Sequence, residues 1–301
     1  MRTVHLLVRL SRPWFLLGGV LVYALGAGIA RYLGAQINWQ VLLLGQLWVT
    51  LLQLSGQYLN EYFDASQDLD NPNRTLFSGG SGALGPGGLP RRTALMAAMG
   101  CLAVVASLTV LIISSANPQP SVVLIMALGL LGAIFYSVPP LRLETSGYGE
   151  LTTSFLVANL VPAFAFILQW GDIHRLLAMS TFPLTFLHLA MMLAFELPDY
   201  AVDIKHDKRT LMIRLGWDRG MTLHNLLILG SYLILALAVW LGLPVRIALP
   251  VFFTLPLGFL QIWQMRRIAD GAAPNWTAIT LTPVALFAAV TYLLAFSFWT
   301  R

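Results

Sequence analysis

The chain has 301 residues, of which 57% are apolar and only 10% are charged. A soluble domain carries roughly a quarter charged residues, so this composition indicates a membrane protein and excludes a disulfide scaffold, a disordered tail and a nucleic-acid-binding domain. The excess of 18 basic over 13 acidic residues then reports orientation in the bilayer.

Nine continuous apolar runs rich in Leu, Ala and Val follow one another along the chain. They lie at 14–33, 39–60, 94–116, 121–141, 150–169, 176–198, 222–243, 245–265 and 276–299. A membrane β-barrel would alternate apolar and polar residues in segments of about ten, whereas a continuous run of about 20 spans the bilayer as a helix. The sequence therefore predicts an all-α integral membrane protein, with nine transmembrane helices in a single domain over residues 1–301.

The distribution of positive charge between the loops predicts the orientation, because cytoplasmic loops retain Lys and Arg. Of the 18 basic residues, 14 lie at the N-terminus or in every second loop, and four lie on the other side. This separation supports the nine spans. It predicts a cytoplasmic N-terminus, an external C-terminus and, for a bacterial-type cytoplasmic membrane, an active site that faces the cytoplasm.

Acidic residues cluster where the second predicted span ends. If the helix continues past the membrane edge, Asn60, Asp64 and Asp68 lie four residues apart on one face, with Glu61 beside them. We call these three residues the first ladder. Carboxylates at the end of a membrane helix cost insertion energy, which makes them candidates for function.

The sixth predicted span ends in a second ladder, Asp199, Asp203 and Asp207, with the same spacing. Like charges at this spacing repel each other on a helix, and a divalent metal is an economical counter-charge. Oxygen ligands favour Mg²⁺, whereas five scattered histidines and a single cysteine disfavour zinc. The alternative is that the carboxylates pair with Arg and Lys in solvated loops; their recurrence at two helix ends favours the metal.

The two ladders are offset by 135 residues, from Asp64 to Asp199 and from Asp68 to Asp203. Each interval contains four predicted spans. The offset suggests two related four-helix halves plus a ninth helix, although only the acidic motif recurs.

Basic residues follow both ladders. Arg74 and a glycine-rich run at 78–82 follow the first, and Lys205, Lys208 and Arg209 follow the second. Backbone N–H groups of a glycine loop, cationic side chains and metal-bound carboxylates together form a diphosphate site. A flexible linker is the alternative for the glycine run.

A third loop on the same side contains Tyr136, the pair Pro139-Pro140 and Arg142. The prolines fix an extended turn, which would hold the Tyr136 hydroxyl and Arg142 over the helix ends. For Arg142 alone, positive-inside topology is a sufficient explanation.

These motifs resemble those of the UbiA superfamily of intramembrane prenyltransferases. The resemblance rests on the nine spans, on Asn60-x3-Asp64-x3-Asp68, on Asp199-x3-Asp203, and on Lys-Arg-Thr-Leu at 208–211. Two positions depart from the family pattern: Glu61 replaces the usual Asp, and Asp207 stands where many members have a small residue.

The resemblance implies a helical fold around a central cavity that opens to the cytoplasm, with Mg²⁺ as cofactor, a polyprenyl diphosphate donor and an aromatic acceptor. It assigns metal and diphosphate binding to Asn60, Asp64, Asp68, Asp199 and Asp203. The four aspartates would be the metal ligands, with Glu61 and Asp207 as further candidates. Diphosphate contacts are expected from Arg74, Tyr136, Arg142, Lys205 and Arg209.

Within the superfamily, Ser78-Gly79-Gly80, Tyr-Ser-x-Pro at 136–139 and Gly149-Glu150 are most similar to 1,4-dihydroxy-2-naphthoate polyprenyltransferases of menaquinone biosynthesis. The 4-hydroxybenzoate enzymes usually show an Arg-Pro pair after the first motif, whereas Thr75 follows Arg74 here. The resemblance thus implies prenyl transfer to a naphthoate ring.

Three other functions remain open: transfer to another aromatic acceptor, terpene cyclisation within the same superfamily, and ion-coupled transport. A transporter would place its carboxylates near the bilayer midplane beside broken helices, whereas here they cluster at one face. A cyclase would release a cyclised hydrocarbon, and the products of the purified protein therefore distinguish it from a transferase.

Overall fold

A computed structural model describes residues 2–116 and 118–301, and the regular secondary structure of these ranges is helical. The first seven α-helices are α1 (Arg2–Leu10), α2 (Pro13–Tyr32), α3 (Trp39–Leu69), α4 (Arg91–Ala116), α5 (Pro120–Phe135), α6 (Gly149–Phe155) and α7 (Val161–Trp170). The remaining six are α8 (Arg175–Lys205), α9 (Leu211–Leu215), α10 (Trp217–Trp240), α11 (Val245–Phe252), α12 (Leu255–Ala269) and α13 (Trp276–Trp299).

The prediction of an all-helical membrane protein is confirmed. Six helical segments are long and apolar enough to cross a membrane, namely α2, α4, the continuous segment Gly149–Trp170, α8, α10 and α13. Helices α11 and α12 meet at a bend of 42° and together form a seventh candidate. Helical structure overlaps all nine predicted runs, but α3 contains several glutamines and α5 has only 16 residues. The count of nine spans and the orientation of the termini therefore stay predictions.

Small residues let the central helices approach closely. Helix α2 packs against α7 and α13, and Gly26 of α2 lies directly on the backbone of α7. A methyl group at Gly26 would come within 2.0 Å of the Pro162 carbonyl oxygen. Small residues at such crossings are the usual means by which membrane helices pack, because lipid provides no hydrophobic drive for association.

The span that contains α6 and α7 is interrupted by a π-helical turn at Leu156–Leu160. Pro162, just after this turn, has no N–H to donate to the preceding helical turn, and a wider turn accommodates that loss. Side chains of this turn line the central cavity.

The short amphipathic helix α1 was not predicted from the sequence. It buries Leu10 and leaves Val4 and Val8 exposed. It lies over the glycine-rich segment, and the Arg2 guanidinium donates to the Gly87 carbonyl over 2.7 Å.

The glycine-rich segment, by which we mean residues 78–88, is folded onto the bundle and is not a flexible linker. Gly79, Gly80 and Gly82 all have positive φ, between 63° and 77°, a region that glycine enters without steric cost. At Gly80, a Cβ would lie 2.1 Å from a carboxylate oxygen of Asp68. The absence of a side chain is thus what lets this loop reach the end of α3.

Candidate active site

A central cavity of about 580 Å³ lies between the helices. Residues of both ladders line one end, which we call the mouth, and this end also receives Ser78, Gly79 and Gly80 from the glycine-rich segment. The rest of the cavity is an apolar chamber formed mainly by side chains such as Trp48, Leu52, Phe164, Met191 and Phe287.

Helix α3 supplies one side of the mouth. It continues to Leu69, as predicted, so Asn60, Asp64 and Asp68 all line the cavity. The Asn60 side-chain amide donates to Asp64 Oδ2 over 3.0 Å and to Glu144 Oε2 over 2.7 Å. Asn60 thereby fixes the Asp64 carboxylate against the loop that follows α5.

Helix α8 supplies the other side through Asp199 and Asp203. The Gln67 side-chain amide donates to Asp203 Oδ1, and the Asn71 amide donates to Asp199 Oδ1. The Gly79 N–H donates to Asp199 Oδ2 over 3.2 Å. The structure therefore brings the two ladders to one mouth, where they are joined by side chains from the end of α3.

Lys208 enters the mouth from the turn after α8. Asp207 adopts φ 54°, and the Lys208 N–H donates to the Asp203 carbonyl over 3.0 Å, which turns the chain back on itself. The Lys208 ammonium then donates to Asp64 Oδ2 over 2.7 Å, with both side chains largely buried. Burial alone would lower the pKa of Lys208, but the charges of Asp64, Glu144 and Asp203 raise it overall. Lys208 is thus a fixed cation among the carboxylates.

The loop after α5 brings a further carboxylate and a second cation to the same place. Glu144 accepts hydrogen bonds from Asn60 and from the Ser137 hydroxyl. The Arg142 guanidinium lies 3.6 Å from Glu144 and 3.9 Å from Asp64. Burial, reinforced by the charge of Asp64, raises the pKa of Glu144 above its ordinary value. Tyr136 of this loop lines the cavity.

Two predicted diphosphate ligands lie away from the cavity. Lys205 donates to Asp70 Oδ2 over 2.6 Å at the protein surface, and His206 contacts the same oxygen over 3.1 Å. Arg209 is exposed. Because the chain reverses after His206, the cation that faces the carboxylates is Lys208, one residue before Arg209.

Four other predicted residues also lie outside the cavity lining, and Arg142 of the loop after α5 is one of them. Arg74 donates to the carbonyl groups of Gly79 and Asp68, which ties the glycine-rich segment to the end of α3. Glu61 accepts from the N–H and hydroxyl of Ser81 and lies 3.4 Å from the Arg12 guanidinium. Asp207 is exposed. Arg74 and Glu61 support the mouth from behind.

The donor chemistry of the mouth fits Mg²⁺, which prefers carboxylate and amide oxygens together with substrate phosphates. Within residues 2–116 and 118–301, no three acidic, histidine or cysteine side chains are grouped closely enough to hold a metal ion. One oxygen is nevertheless available: Asp64 Oδ1 is buried and has no hydrogen-bond partner among the described residues. Asp64, Asp68, Asp199 and Asp203 all line the cavity and are the residues that would hold the ion.

Sequence reasoning missed two amides of the mouth, Gln67 and Asn71. They lie seven and eleven residues after Asn60, so helical periodicity places them on its face. A search for polar side chains of any kind on that face would have found them. The role of Lys208 has no comparable signal, because it depends on the backbone reversal at Asp207.

Three aromatic rings lie beside the mouth and line the cavity. Phe77 and Phe195 are stacked, with centroids 5.8 Å apart and an interplanar angle of 5°, and Phe15 meets both edge-on. The faces of such rings attract positive charge. Ser78 fixes the arrangement, because its hydroxyl donates to the Phe195 carbonyl over 2.8 Å.

Comparisons with known proteins identify the family of this chain. Residues 19–277 match the UbiA prenyltransferase family. A 1,4-dihydroxy-2-naphthoate octaprenyltransferase of Bacillus subtilis is 24% identical over 73% of this chain and 68% of its own length. The UbiA prenyltransferase domain-containing protein 1 of Danio rerio is 26% identical over 74% of this chain, and the match spans 65% of that relative.

A solved structure has the same fold. It is a UbiA homolog from Archaeoglobus fulgidus bound to DMAPP and Mg²⁺, and it superposes with a TM-score of 0.71 over 97% of this chain and 98% of that one, at 18% identity. Because the family match covers most of the chain, the chain belongs to the UbiA prenyltransferase family and is an enzyme of the prenyltransferase class.

Proposed function

We propose that this enzyme transfers a polyprenyl group from an allylic diphosphate to an aromatic acceptor, 1,4-dihydroxy-2-naphthoate, in menaquinone biosynthesis, with Mg²⁺ as cofactor. The name of the Bacillus subtilis relative supports the acceptor. The Archaeoglobus fulgidus homolog, solved with DMAPP and Mg²⁺, supports the donor and the metal. We also propose that residues 1–301 act as one membrane domain with the mouth towards the cytoplasm, as the charge distribution predicts.

The observation that carries the proposal is the division of one cavity into a polar mouth and an apolar chamber. A prenyl diphosphate has the same division, with a charged head and a hydrocarbon tail. The head would lie between the two ladders, near Lys208, and the tail would extend past Trp48 and Phe164 into the chamber. Because the tail of such a ligand is a hydrocarbon, the protein needs no charged side chain at the end of the chamber away from the mouth.

The residues of the mouth have distinct tasks in this reaction. Lys208 and Arg142 would supply positive charge towards the diphosphate, and the Gly80 N–H of the glycine-rich segment would supply a neutral donor. When bound by Asp64, Asp68, Asp199 and Asp203, Mg²⁺ neutralises charge on the leaving diphosphate. Arg74 acts indirectly, because it holds the glycine-rich segment in place.

The walls of the cavity protect the reacting carbon. As the C–O bond to the diphosphate breaks, the allylic carbon becomes cationic, and the faces of Phe77 and Phe195 can stabilise that charge. The apolar lining excludes water, which would otherwise capture the cation as prenol. An electron-rich ring carbon of the acceptor attacks instead, and the ring regains aromaticity by losing a proton or carbon dioxide.

The experiment that tests the proposal is product analysis with purified protein in detergent. Labelled prenyl diphosphates of several lengths are each incubated with Mg²⁺ and with 1,4-dihydroxy-2-naphthoate, 4-hydroxybenzoate or no acceptor. We expect a prenylated naphthoquinol, and no product after the metal is removed with EDTA. Prenylated 4-hydroxybenzoate as the dominant product would change the acceptor. A cyclised hydrocarbon formed without acceptor would replace the transferase by a cyclase.

A further inference from the structure

Two buried glutamates outside the ladders lie on the cavity wall. Glu150 is in the first turn of α6, and Glu196 is in α8, one turn before Asp199. Both line the cavity and are at most 8% exposed. Their carboxylates accept from the backbone N–H groups of two consecutive residues, Leu211 and Met212, and therefore lie side by side. We call these two residues the glutamate pair.

The glutamate pair lacks the cations that accompany Asp64. Glu150 Oε1 accepts from the Leu211 N–H and Glu196 Oε2 accepts from the Met212 N–H, each over 2.9 Å. Among the described residues, no Lys, Arg or His forms an ion pair with either glutamate, and no protein group donates to Glu150 Oε2. Glu150 Oε2 is thus a buried carboxylate oxygen on the cavity wall that can accept a proton from a ligand in the cavity.

Four other carboxylates around the cavity have partners already. Asp199 and Asp203 accept from the amides of Asn71 and Gln67, Asp64 is paired with Lys208, and Glu144 accepts from Asn60 and Ser137. Asp68 has no such side-chain partner among the described residues, but it is one of the proposed metal ligands. The glutamate pair is thus set apart by a buried carboxylate oxygen with neither a donor nor an ion-pair partner among the described residues, on the cavity wall and outside the proposed metal ligands.

We propose that the Glu150–Glu196 pair is the proton acceptor for the aromatic substrate, and that this pair takes the phenolic proton of an acceptor hydroxyl during prenyl transfer. This inference rests on the proposed function, because it requires a hydroxylated aromatic acceptor in the cavity. It assigns a catalytic role to two residues that lie outside both ladders.

The proton balance is as follows for one turnover. The acceptor O–H bond breaks, the proton moves to Glu150 Oε2 of the pair, and the oxygen electron pair is delocalised to the ring carbon. That carbon bonds to C1 of the prenyl group, while the C1–O bond breaks and its electrons leave with the diphosphate. The attacked carbon then loses its own proton to the diphosphate, or its carboxylate as carbon dioxide. The ring oxygen recovers the proton from the pair, which returns to its starting state.

Isosteric glutamines test this role, since the side-chain carbonyl of Gln can still accept from the Leu211 or Met212 N–H. We expect Glu150→Gln and Glu196→Gln each to lower kcat for prenyl transfer about 100-fold, the usual range for a general base being 10²–10⁴. The KM for the prenyl diphosphate should stay unchanged. Because the pair acts as a unit, the double variant should be no slower than the worse single variant.

A second readout separates catalysis from structure. Slow release of prenol from the diphosphate without acceptor requires ionisation but no aromatic proton, so both variants should release prenol at the wild-type rate. His224→Gln is the control for loss of a buried polar group, because His224 contacts Gln261 and lies outside the cavity lining. It should transfer prenyl groups at the wild-type rate.

Three results overturn the inference. If both single variants transfer prenyl groups within threefold of the wild type, the pair is not the proton acceptor. If prenol release falls in parallel with transfer, the residues serve the fold or the donor site. If the wild type prenylates no aromatic compound in the acceptor panel, the proposed function fails and this inference fails with it, whereas the first two results leave the proposed function intact.

Discussion

The two ladders have the same spacing but different surroundings. Asp64 of the first ladder lies against the buried ammonium of Lys208 and within 3.9 Å of Arg142. Asp199 and Asp203 of the second ladder are held by neutral donors, the Asn71 and Gln67 amides and the Gly79 N–H. Lys208 comes from the segment that carries the second ladder, and the neutral donors come from the segment that carries the first, whereas Arg142 comes from the loop after α5.

This difference divides the work of the mouth. The charge of Asp64 is compensated before any ligand arrives, so Asp64 contributes order and holds a fixed cation. Neutral donors orient Asp199 and Asp203 without cancelling their charge. We therefore expect Asp199 and Asp203 to offer more negative charge to the proposed Mg²⁺ than Asp64 does, and a substitution should have different consequences at these positions.

Removal of a ladder carboxylate should have the largest effect. We expect Asp64→Ala and Asp203→Ala each to lower prenyl transfer at least 100-fold, since each removes an oxygen that orients or neutralises the diphosphate. Only Asp64→Ala should also destabilise the protein, by roughly 3 kcal/mol, because it leaves Lys208 buried without its partner. Transfer assays with Mg²⁺ in detergent and thermal unfolding measure the two effects. Normal transfer by either variant would remove the ladders from the active site.

Replacement of Lys208 sharpens the comparison from the other side. Lys208→Met removes the nearest cation from the buried Asp64 carboxylate, so we expect a loss of roughly 3 kcal/mol in unfolding free energy and weaker binding of the prenyl diphosphate. Lys205→Met is the matched control: its ion pair with Asp70 is exposed, so stability and turnover should match the wild type. If turnover fell more in the Lys205 variant than in the Lys208 variant, the assignment of Lys205 as a diphosphate ligand, which was made from the sequence, would be correct after all.

Removal of a neutral donor should have a smaller effect. Gln67→Leu deletes the donor to Asp203, and we expect turnover to fall about tenfold, in line with roughly 1.5 kcal/mol for one hydrogen bond to a charged group. Gln264→Leu, on α12 and outside the cavity lining, is the control. Equal turnover in both variants would mean that Asp203 needs no orientation.

The smallest effect concerns pH and the exposed Asp70. Hydrogen bonds from Lys205 and His206 lower the pKa of Asp70 below its ordinary value. A lowered pKa in the folded state adds stability above the unfolded-state pKa and loses it as the pH falls through the folded-state pKa. The difference in melting temperature between wild type and Asp70→Asn should therefore be small at neutral pH and vanish in acid. A difference that grows in acid would contradict this assignment.

The helical architecture and the position of the mouth were largely predictable from sequence. Apolar runs locate the helices, and four-residue spacing places Asp64 and Asp68 on one face. Proximity of the two ladders could not be obtained this way, because it depends on how α3 and α8 are placed around the cavity. The expectation that the two ladders share one site came instead from the resemblance of their motifs to those of a known family.

The assignment of the cations could not be made from the sequence. The basic loop contains Lys205, Lys208 and Arg209, and their order in the sequence does not show which of them enters the cavity. The left-handed backbone at Asp207 directs Lys208 there. Likewise, Arg74 follows the first ladder closely but donates to backbone carbonyls behind it. Spacing along the chain identified the loops, whereas side-chain direction required the three-dimensional structure.

The mouth is also the place where the bundle can yield. Helix α3 packs mainly against α4, and α8 packs mainly against α10 and α13, while the contacts described across the mouth are polar. A close-packed apolar interface resists displacement because any gap forfeits contacts, whereas a hydrogen bond can be exchanged for one to a phosphate or a water at little net cost. The mouth can thus widen or narrow with the size of the bound ligand, while the helix interfaces on either side remain intact.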